Sequence, residues 1–578
     1  MCGIIAVVRR RSERAAPAPD ALLASLDAAV SDMEPVLADL SARLDTAASV
    51  LAEVDRDLRG VPGLTTMVGD LAATSAIARR VDTLAELADR VEALLDSSHA
   101  AAALSTAQLE TTNASLIRCK DAIWAIGRDR LRAATEVAGL AGAEVGTAGL
   151  AVLFSVHQAL SALDRLEVRG RDSAGLEIQL TGHGLDGADP SIRMLLDRRE
   201  DPSFASGAVR LVDGVLVVVH KAAAEIGELG DNTAALRDAL RHDELLQLAL
   251  AAPEVEGVIL GHTRWASIGI ISEPNAHPQC SDELGDRSGP LVTGVLNGDV
   301  DNYADLTAAE SLRIAAEITT DAKVIPTLMS RRLAEGAAPG DAFRETVASL
   351  EGSVAIAAAS AARPDHLFLA LRGSGQAIYV GLAEDAYIVA SEPYGVVEET
   401  AAYVRMDGET PADPDNPTGS RGQIIELRAG AAGTVDGMVR WSYDGTELPV
   451  DPDDVQTAQV TTRDIDRGEF PHFLLKEVTA SPGSFRKTLR GKLVEDADGI
   501  RVVLGPESLP DDVRAALRDG HVDRILVIGQ GTAAIAGQSL AHHLADFLAE
   551  SDVRVDAVLA TELSGFQLRG DMSDTLVI

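Results

Sequence analysis

Apolar residues recur at alternating spacings of three and four along the first part of the chain. The first run comprises Leu23, Leu26, Val30, Met33, Leu37, Leu40, Leu44, Ala47, Leu51, Val54 and Leu58, and the second comprises Ile77, Val81, Leu84, Ala88, Val91 and Leu95. Such spacing places apolar side chains along one face of a helix. Together with a helical stretch at about 104–137, it predicts a helical hairpin or small bundle over residues 11–146, with Pro35 kinking its first arm.

A strand-type pattern stands on either side of this helical segment. Residues 2–8 (CGIIAVV) are apolar throughout and predict a short buried strand with Cys2 at its start. From 147 to 450, β-type runs such as LVDGVLVVVH and GVILGHT alternate with helices and Gly- or Asp-rich turns. This pattern is typical of an α+β domain with extensive antiparallel sheet. The Pro-, Asp- and Gly-rich stretch 407–421 predicts an exposed loop.

The pattern changes again near residue 451. A polar stretch at 451–464 indicates a linker, 466–493 is helical in pattern, and an α/β unit begins at His521 with RILVIGQGT followed by GQSLAHHLADFLAE. The predicted organisation is an α+β domain at 2–10 and 147–450, a helical insertion at 11–146, a linker and helical lead-in at 451–515, and an α/β unit at 516–578.

The net charge and the cysteine content limit the kinds of molecule that the protein is expected to bind. The formal net charge of −38 over 578 residues repels phosphate backbones and anionic membrane surfaces, so neither nucleic acid nor membrane is an expected partner. Three cysteines without metal-ligand spacing fit a reducing cytoplasm and predict no metal site. Arg9 follows the apolar start too closely for a signal peptide, and no apolar run reaches about 18 residues.

Cys2 is the first candidate for chemistry. Removal of Met1 leaves a residue with a thiol and a free α-amine, whose ordinary pKa is about 7.7–8.0. The amine can act as base towards its own thiol, commonly through a water. Taken alone, a Cys in an MCGI start is more often a buried strand residue of no chemical function than a nucleophile.

Three later motifs carry polar groups that suit an amino-acid amide. In GHTRWASIGIISEPNAHPQ, Arg264 can bind a carboxylate, and the NAHP turn can present polar atoms to the same pocket. In LNG, Asn297 and Gly298 can direct two N–H groups at one oxyanion. In TTDAKVI, Asp321 can pair with an ammonium. Each has an ordinary alternative: a surface salt bridge, a hairpin turn and a helix N-cap, respectively.

In combination these stretches resemble the class II glutamine amidotransferases and, within them, the glucosamine-6-phosphate synthase family. The resemblance is carried by MCGI, LEVRGRDSAGL at 166–176, GHTRWAS at 261–267, NAHPQ at 275–279, LNG at 296–298, TTDAKVI at 319–325 and EGSVAIA at 351–357. It continues in FPHFLLKEV and TLRGKL within 470–493. It resumes at RILVIGQGTAAIAGQSLA, which is similar to the opening of a sugar isomerase (SIS) domain.

The resemblance implies an N-terminal-nucleophile αββα glutaminase domain that delivers ammonia from glutamine to fructose 6-phosphate. The implied roles are nucleophile for Cys2, oxyanion donors for Asn297 and Gly298, glutamine binding for Arg264, Ser267 and Asp321, ammonia gating and glutamine contact for Trp265, and sugar-phosphate binding for Gly531 and Thr532. It implies no cofactor, a homodimer formed through the SIS region, and a cytoplasmic setting.

The sequence also departs from the family pattern. The departures are Ile268 for a His, Ser267 for a Thr, Leu296 for the His before Asn-Gly, Arg171 for a Tyr and Ala533 for a hydroxyl residue. They predict surviving glutaminase chemistry with altered substrate contacts. The chain ends before the family's Ser/Gln/Ser/Thr-rich phosphate loop, so we expect a fragment of a longer polypeptide or a partner chain that supplies the rest. Two alternatives stay open: a scaffold or regulator that binds a partner through the insertion, and an amidotransferase for another sugar phosphate.

Overall fold

A computed structural model describes residues 2–97, 103–223, 228–286, 289–373, 375–468, 470–490, 492–496, 499–506 and 508–578. Several residues that carry predictions lie outside these ranges: Met1, 98–102 of the insertion, and Glu469, Gly491, 497–498 and Glu507 of the lead-in. The chain forms two compact units. The first unit comprises Met1–Leu94 and Thr112–Lys476, and the second unit comprises Leu95–Thr111 and Glu477–Ile578.

Two antiparallel sheets form the centre of the first unit. The strands are β1 (Gly3–Arg9), β2 (Ser173–Thr181), β3 (Val209–Val212), β4 (Val215–Ala222), β5 (Glu256–Arg264), β6 (Gln279–Cys280), β7 (Val292–Gly298), β8 (Val354–Ser360), β9 (His366–Arg372), β10 (Tyr379–Leu382), β11 (Ala386–Ala390), β12 (Ala402–Arg405), β13 (Gln423–Arg428), β14 (Met438–Ser442) and β15 (Val455–Thr457). A nine-stranded sheet has the order β15-β12-β10-β11-β1-β5-β2-β4-β3, and a six-stranded sheet has the order β14-β13-β9-β8-β7-β6.

The helices of the chain before the lead-in are bounded as follows. They are α1 (Pro19–Asp32), α2 (Leu40–Leu58), α3 (Gly60–Gly69), α4 (Leu71–Leu95), α5 (Thr106–Trp124), α6 (Arg132–Leu140), α7 (Thr147–Leu166), α8 (Pro190–Asp197), α9 (Asp231–Arg241), α10 (Glu244–Leu250), α11 (Tyr303–Ala309), α12 (Val324–Ala334), α13 (Pro339–Ala348) and α14 (Thr462–Ile465). A π-helical segment, Ala125–Leu131, joins α5 to α6.

Strand β1 lies in the middle of the larger sheet because every residue of its apolar run can be buried. Ile4, Ala6 and Val8 face the six-stranded sheet and share a core with its residues. The opposite face of β1 packs against α7. Helices α12 and α13 cover the outer face of the smaller sheet, where Leu296 and Leu328 belong to one core. The predicted α+β class with an αββα sandwich is confirmed.

The insertion consists of helices whose predicted apolar seam is buried: Leu26, Leu44, Leu51, Leu84 and Val91 are each fully enclosed. Pro35 differs from its prediction, because α1 ends at Asp32 and α2 begins at Leu40, so the arm is broken and not kinked. A proline lacks the N–H that a continuous helix would need at this point.

The stretch 451–464 is not a linker in the structure. Within it, β15 pairs with β12 at the edge of the nine-stranded sheet, and α14 follows directly. The predicted loop 407–421 contains no strand or helix and is largely exposed, although Ser420 within it is buried.

The second unit has its own small core. Its elements are α15 (Phe473–Leu489), β16 (Leu493–Asp496), β17 (Gly499–Val502), α16 (Asp511–Arg518), β18 (Arg524–Gly529), α17 (Thr532–Phe547), β19 (Arg554–Leu559), α18 (Ala560–Glu562) and β20 (Thr575–Val577), although α15 begins in the first unit. Strand β18 pairs in parallel with β19 and β20. Ile525 and Val527 of β18 pack with Ala541 of α17, which gives the α/β unit that the sequence predicts.

Candidate active site

Cys2 stands at the N-terminal end of β1, beside the C-terminal ends of β5 and β7. The next residue must be small, because a Cβ on Gly3 would lie 2.8 Å from both the Leu166 side chain and the Thr263 hydroxyl. The Cys2 backbone nitrogen donates to Asn297 Oδ1 at 3.2 Å, and the Trp265 N–H donates to Cys2 Sγ at 3.3 Å. These contacts hold the thiol at the end of the two sheets where β5 and β7 terminate.

The Cys2 thiol is half-buried, and its burial raises its pKa. The Trp265 N–H and the Arg264 guanidinium act in the opposite direction, whereas the Asp299 carboxylate raises the pKa further. A thiol in this setting needs a nearby base to become a nucleophile, and the N-terminal amine of the same residue can supply one.

The edge of β7 supplies N–H groups beside this thiol. The Asp299 N–H donates to the carbonyl of Ser353, the residue before β8, at 3.3 Å. The Val300 N–H donates to Asp321 Oδ2 at 2.7 Å, and the Leu296 N–H donates to a side-chain nitrogen. Because successive residues of an antiparallel strand alternate between its two edges, the strand pattern directs the Gly298 N–H to the edge of the Leu296 N–H. In sequence, Gly298 lies between two residues, Leu296 and Val300, whose N–H groups are bonded to side chains.

Asn297 and Gly298, the two predicted oxyanion donors, end strand β7 next to Cys2. Asn297 is buried, and its Oδ1 already accepts from Cys2, so its Nδ2 group faces away from that contact. Gly298 has φ of +122°, and a Cβ there would lie 2.0 Å from the Ser353 carbonyl oxygen. Only glycine fits this backbone.

Arg264 is buried at the end of β5, within the electrostatic reach of Cys2 and Asp321. Its guanidinium donates to the carbonyls of Ile268 and, at 3.2 Å, of Ile270, and burial lowers its pKa. Those two bonds orient the planar group while other N–H groups of its fork can still bind a carboxylate. The carbonyl of Ile268 therefore anchors Arg264 at one of the positions where the sequence departs from the pattern of the family that it resembles.

Asp321 is buried at the start of a short 3₁₀ turn that leads into α12. Burial raises the pKa of its carboxyl, and the nearby Asp299 carboxylate acts in the same direction, whereas the Val300 N–H lowers it. The Thr320 hydroxyl also donates to Asp321 Oδ1 at 3.4 Å. A carboxylate has about four acceptor positions on its two oxygens, so this one retains acceptor capacity for an ammonium group.

The remaining two predicted glutamine contacts are at the surface. Trp265 is 59% exposed, although its backbone N–H donates to the Cys2 sulfur and its carbonyl oxygen accepts from the thiol. Ser267 Oγ donates to Asp299 Oδ1 at 2.7 Å, which ties the loop after β5 to the end of β7. Ser267 therefore already has an anchoring role within the protein.

Residues 170–172 hold the loop that follows β5 in place, a role that the sequence analysis did not predict. A Cβ on Gly170 would lie 2.7 Å from the Arg264 carbonyl carbon, so the two backbones touch. Asp172 Oδ2 accepts from the Ala266 N–H at 2.7 Å, and the Asp172 N–H donates to the Arg264 carbonyl at 3.1 Å. The glycine and the aspartate of LEVRGRDSAGL are the signal that could have predicted this contact.

The other departures from the resembled family's pattern lie away from the Cys2 thiol. The Leu296 side chain is in the core beneath α12, on the opposite face of β7 from Asn297, and Arg171 is exposed. In the second unit, Gly531 and Thr532 stand at the turn from β18 to α17, as predicted, and Gly531 has φ of +57°. Ala533 follows in the first exposed turn of α17.

Within the described ranges, no group of three or more His, Cys, Asp or Glu side chains could hold a metal ion. A search of the same ranges finds no helix with the length and apolar character needed to cross a membrane.

Comparison of the amino-acid sequence with known proteins identifies several similar proteins. The chain is 29% identical over 278 residues to a glutamine--fructose-6-phosphate aminotransferase [isomerizing] of Halalkalibacterium halodurans, covering 48% of this chain and 40% of the relative. It is 31% identical over 279 residues to the protein of that name from Bacillus subtilis, with the same coverage of 48% and 40%. The Bacillus thuringiensis protein of that name is 27% identical over 380 residues, 65% of this chain and 48% of the relative.

These matches confirm the resemblance drawn from the motifs, and the chain spans less than half the length of these relatives. No protein-family model matches the chain. Among solved structures, a glutamine phosphoribosylpyrophosphate amidotransferase from B. subtilis is 14% identical with a TM-score of 0.34, covering 70% of this chain and 78% of that one. An allosteric regulatory enzyme of purine biosynthesis is 15% identical with a TM-score of 0.33, covering 70% and 77%.

Proposed function

We propose that this chain hydrolyses glutamine at Cys2 and is the glutaminase part of a glutamine-dependent aminotransferase. The observation that carries the proposal is the convergence of Cys2, Asn297, Arg264 and Asp321 at one end of the two sheets. These residues come from four separate stretches of sequence, and each group suits a different part of a glutamine molecule.

The reaction begins with the loss of Met1, which gives Cys2 a free α-amine. The amine takes the thiol proton, through a water where needed, and the sulfur adds to the carbonyl carbon of the glutamine side chain. Asn297 Nδ2 and the Gly298 N–H bind the oxygen as it becomes negatively charged. The C–N bond then breaks, the α-ammonium returns the proton to the leaving nitrogen, and ammonia departs.

Hydrolysis completes the cycle. The α-amine of Cys2 accepts a proton from a water molecule that attacks the thioester, and glutamate leaves with the thiol restored. Throughout the cycle, Arg264 binds the α-carboxylate and Asp321 binds the α-ammonium. Trp265 and Ser267 lie on the loop that would close beside the bound substrate.

The acceptor half-reaction is part of the same proposal. Its support is the name of the sequence relatives, which are fructose-6-phosphate aminotransferases. Gly531 and Thr532 stand at the N-terminus of α17, where backbone N–H groups suit a sugar phosphate, and a homodimer would form through this region. Another sugar phosphate remains an alternative acceptor. The cysteine content supports a reducing, cytoplasmic setting.

A glutaminase assay tests the proposal. The chain, with Met1 removed, should release glutamate from glutamine, and the Cys2→Ala variant should release none above the uncatalysed rate. Undiminished glutamate release by Cys2→Ala would overturn the assignment of the nucleophile.

A further inference from the structure

At Leu296, the residue just before the proposed oxyanion donors, β7 pairs with β8 on one edge and has no strand partner on the edge that faces β6. Strand β6 pairs with β7 only opposite Thr293 and Gly294, so the edge at Leu296 extends beyond it. The buried side chains of His262 and His277 lie along this unpaired edge of β7. His262 Nε2 lies 2.8 Å from the Leu296 carbonyl oxygen, and the Leu296 N–H donates to His277 Nδ1 at 3.3 Å.

The two imidazoles form a matched pair. Their ring centroids are 4.4 Å apart with 30° between the planes. Burial lowers the pKa of His262 to about 3 and that of His277 well below its usual value, so both rings are neutral. A neutral His277 can accept at Nδ1 while a neutral His262 donates from Nε2, which is the pairing that a neighbouring strand would have given Leu296.

The NAHP turn also reaches the segment that carries Asp321. His277 Nε2 lies 3.3 Å from Thr320 Oγ1. Asn275 is fully buried, and its Oδ1 accepts from the Thr319 N–H at 2.7 Å and from the Thr320 N–H at 2.9 Å. The residue directly before Asp321 is therefore bonded to both polar residues of the turn.

We propose that His262, His277 and Asn275 are positioning residues of the glutaminase site. The histidine pair holds Leu296, and through it the oxyanion donors Asn297 and Gly298. Asn275 holds Thr319 and Thr320, and through them Asp321. This inference rests on the proposed function, because it assigns roles around the same bound glutamine.

Substitution of the histidine pair and substitution of Asn275 should have different kinetic effects. Loss of the His262 bond disturbs groups that act on the developing oxyanion, so it lowers kcat and leaves ground-state binding intact. Loss of the Asn275 bonds disturbs the ammonium partner, which acts equally on substrate and transition state. That change raises KM and the inhibition constant of the product glutamate together.

The first experiment compares His262→Leu with His262→Gln in steady-state glutaminase assays. The Leu variant removes the donor, whereas the Gln side chain can present an N–H near the position of Nε2. We expect a kcat about tenfold or more lower for His262→Leu, a glutamate inhibition constant within about twofold of the parent, and substantial recovery of kcat in His262→Gln. Equal losses in both variants would overturn the role of the histidine pair.

The second experiment compares Asn275→Ala with Thr320→Val, an isosteric change that removes only the hydroxyl. We expect a higher KM and a proportionally higher glutamate inhibition constant in each, with kcat within about twofold of the parent. A fall in kcat at unchanged KM would overturn the role of Asn275. Thermal unfolding of every variant is measured alongside, and an activity loss that follows only the unfolding temperature would also overturn the inference.

The parent and Cys2→Ala proteins separate this inference from the function on which it rests. Glutamate release that survives Cys2→Ala contradicts the proposed function itself. Glutamate release that requires Cys2 but shows no split between kcat and KM among these variants contradicts only the positioning roles.

Discussion

The Cys2 backbone nitrogen lies 3.2 Å from Asn297 Oδ1, so the first strand of the chain and the end of β7 meet at one amide group. In the mature protein that nitrogen is the α-amine. The amide oxygen can therefore orient the base while the amide Nδ2 of the same side chain faces the oxyanion. In the proposed reaction, one side chain 295 positions away in sequence thus contacts both the α-amine base and the oxyanion.

The first prediction concerns Asn297. Asn297→Ala should lower kcat by about 10²–10³, or about 2.7–4 kcal/mol in the activation barrier, because one oxyanion donor is lost. Glutaminase kinetics provide the measurement. Asn416→Ala, in the exposed loop 407–421, is the matched control and should leave kcat unchanged. An Asn297→Ala enzyme with the parent kcat would exclude this residue from the oxyanion site.

The second prediction concerns pH and Asp321. Burial raises the pKa of this carboxyl, and only the ionised form pairs with the substrate ammonium. The value of kcat/KM should therefore fall as pH drops through the raised pKa, at a higher pH than an ordinary aspartate would give. Asp321→Asn should raise KM and remove this acidic limb. If kcat/KM of the variant still falls with the same acidic limb, that limb belongs to a group other than Asp321.

The stability of Asp321→Asn gives an independent check. A carboxyl whose pKa is raised by folding stabilises the protein fully below its unfolded-state pKa, and this contribution is lost as pH rises through the folded-state pKa. Above the folded-state pKa the carboxyl adds no such stability, and the Asn amide oxygen can still accept from the Val300 N–H. Thermal unfolding at neutral pH should give Asp321→Asn a melting temperature no lower than the parent's.

The third prediction concerns the backbone at Gly298. Gly298→Ala should abolish glutaminase activity and lower the melting temperature, because the new Cβ would collide with the Ser353 carbonyl at a positive φ. Gly336→Ala is the matched control, since Gly336 has φ of +95° but open space around its Cβ position. The control should lose only about 1–2 kcal/mol and remain active. Equal behaviour of the two variants would argue against a special constraint at Gly298.

The fourth prediction concerns the helical insertion. Arg130 is buried and binds Asp55 Oδ1 and Glu399 Oε2, each at 2.9 Å, and so joins the insertion to the chain that follows β11. Arg130→Ala leaves two buried carboxylates without this partner and should cost about 3–5 kcal/mol in the free energy of unfolding. Arg80→Ala removes an exposed pairing with Asp27 and should change it little. Denaturant unfolding measures both, and equal losses would contradict the buried role.

Much of the fold could be predicted from local pattern. The apolar run after Cys2 predicts β1, and the three-and-four spacing predicts the buried seam of the insertion, because both depend on periodicity alone. Strand β15 escaped prediction because Val455–Thr457 is only three residues long, and its partner β12 is about 50 residues earlier in the chain. Pairing at that separation leaves no local signal.

The candidate site was predicted as a set of residues but not as a set of contacts. The departure at Leu296 was expected to alter substrate contacts, yet strand alternation turns that side chain into the core under α12. The NAHP turn was expected to present polar atoms to the pocket, yet Asn275 and His277 bond to the backbone around Leu296 and Thr320. Such bonds join residues 19–45 positions apart, so only the folded chain reveals them.

The most direct test of the central claim is mass spectrometry of the purified protein after reaction with a glutamine-affinity label. The account predicts a chain without Met1 that carries one label on Cys2, protected by excess glutamine, while the buried thiols Cys119 and Cys280 stay unmodified. A chain that releases glutamate from glutamine while Cys2 remains unlabelled, or that carries the label on another residue, would contradict it.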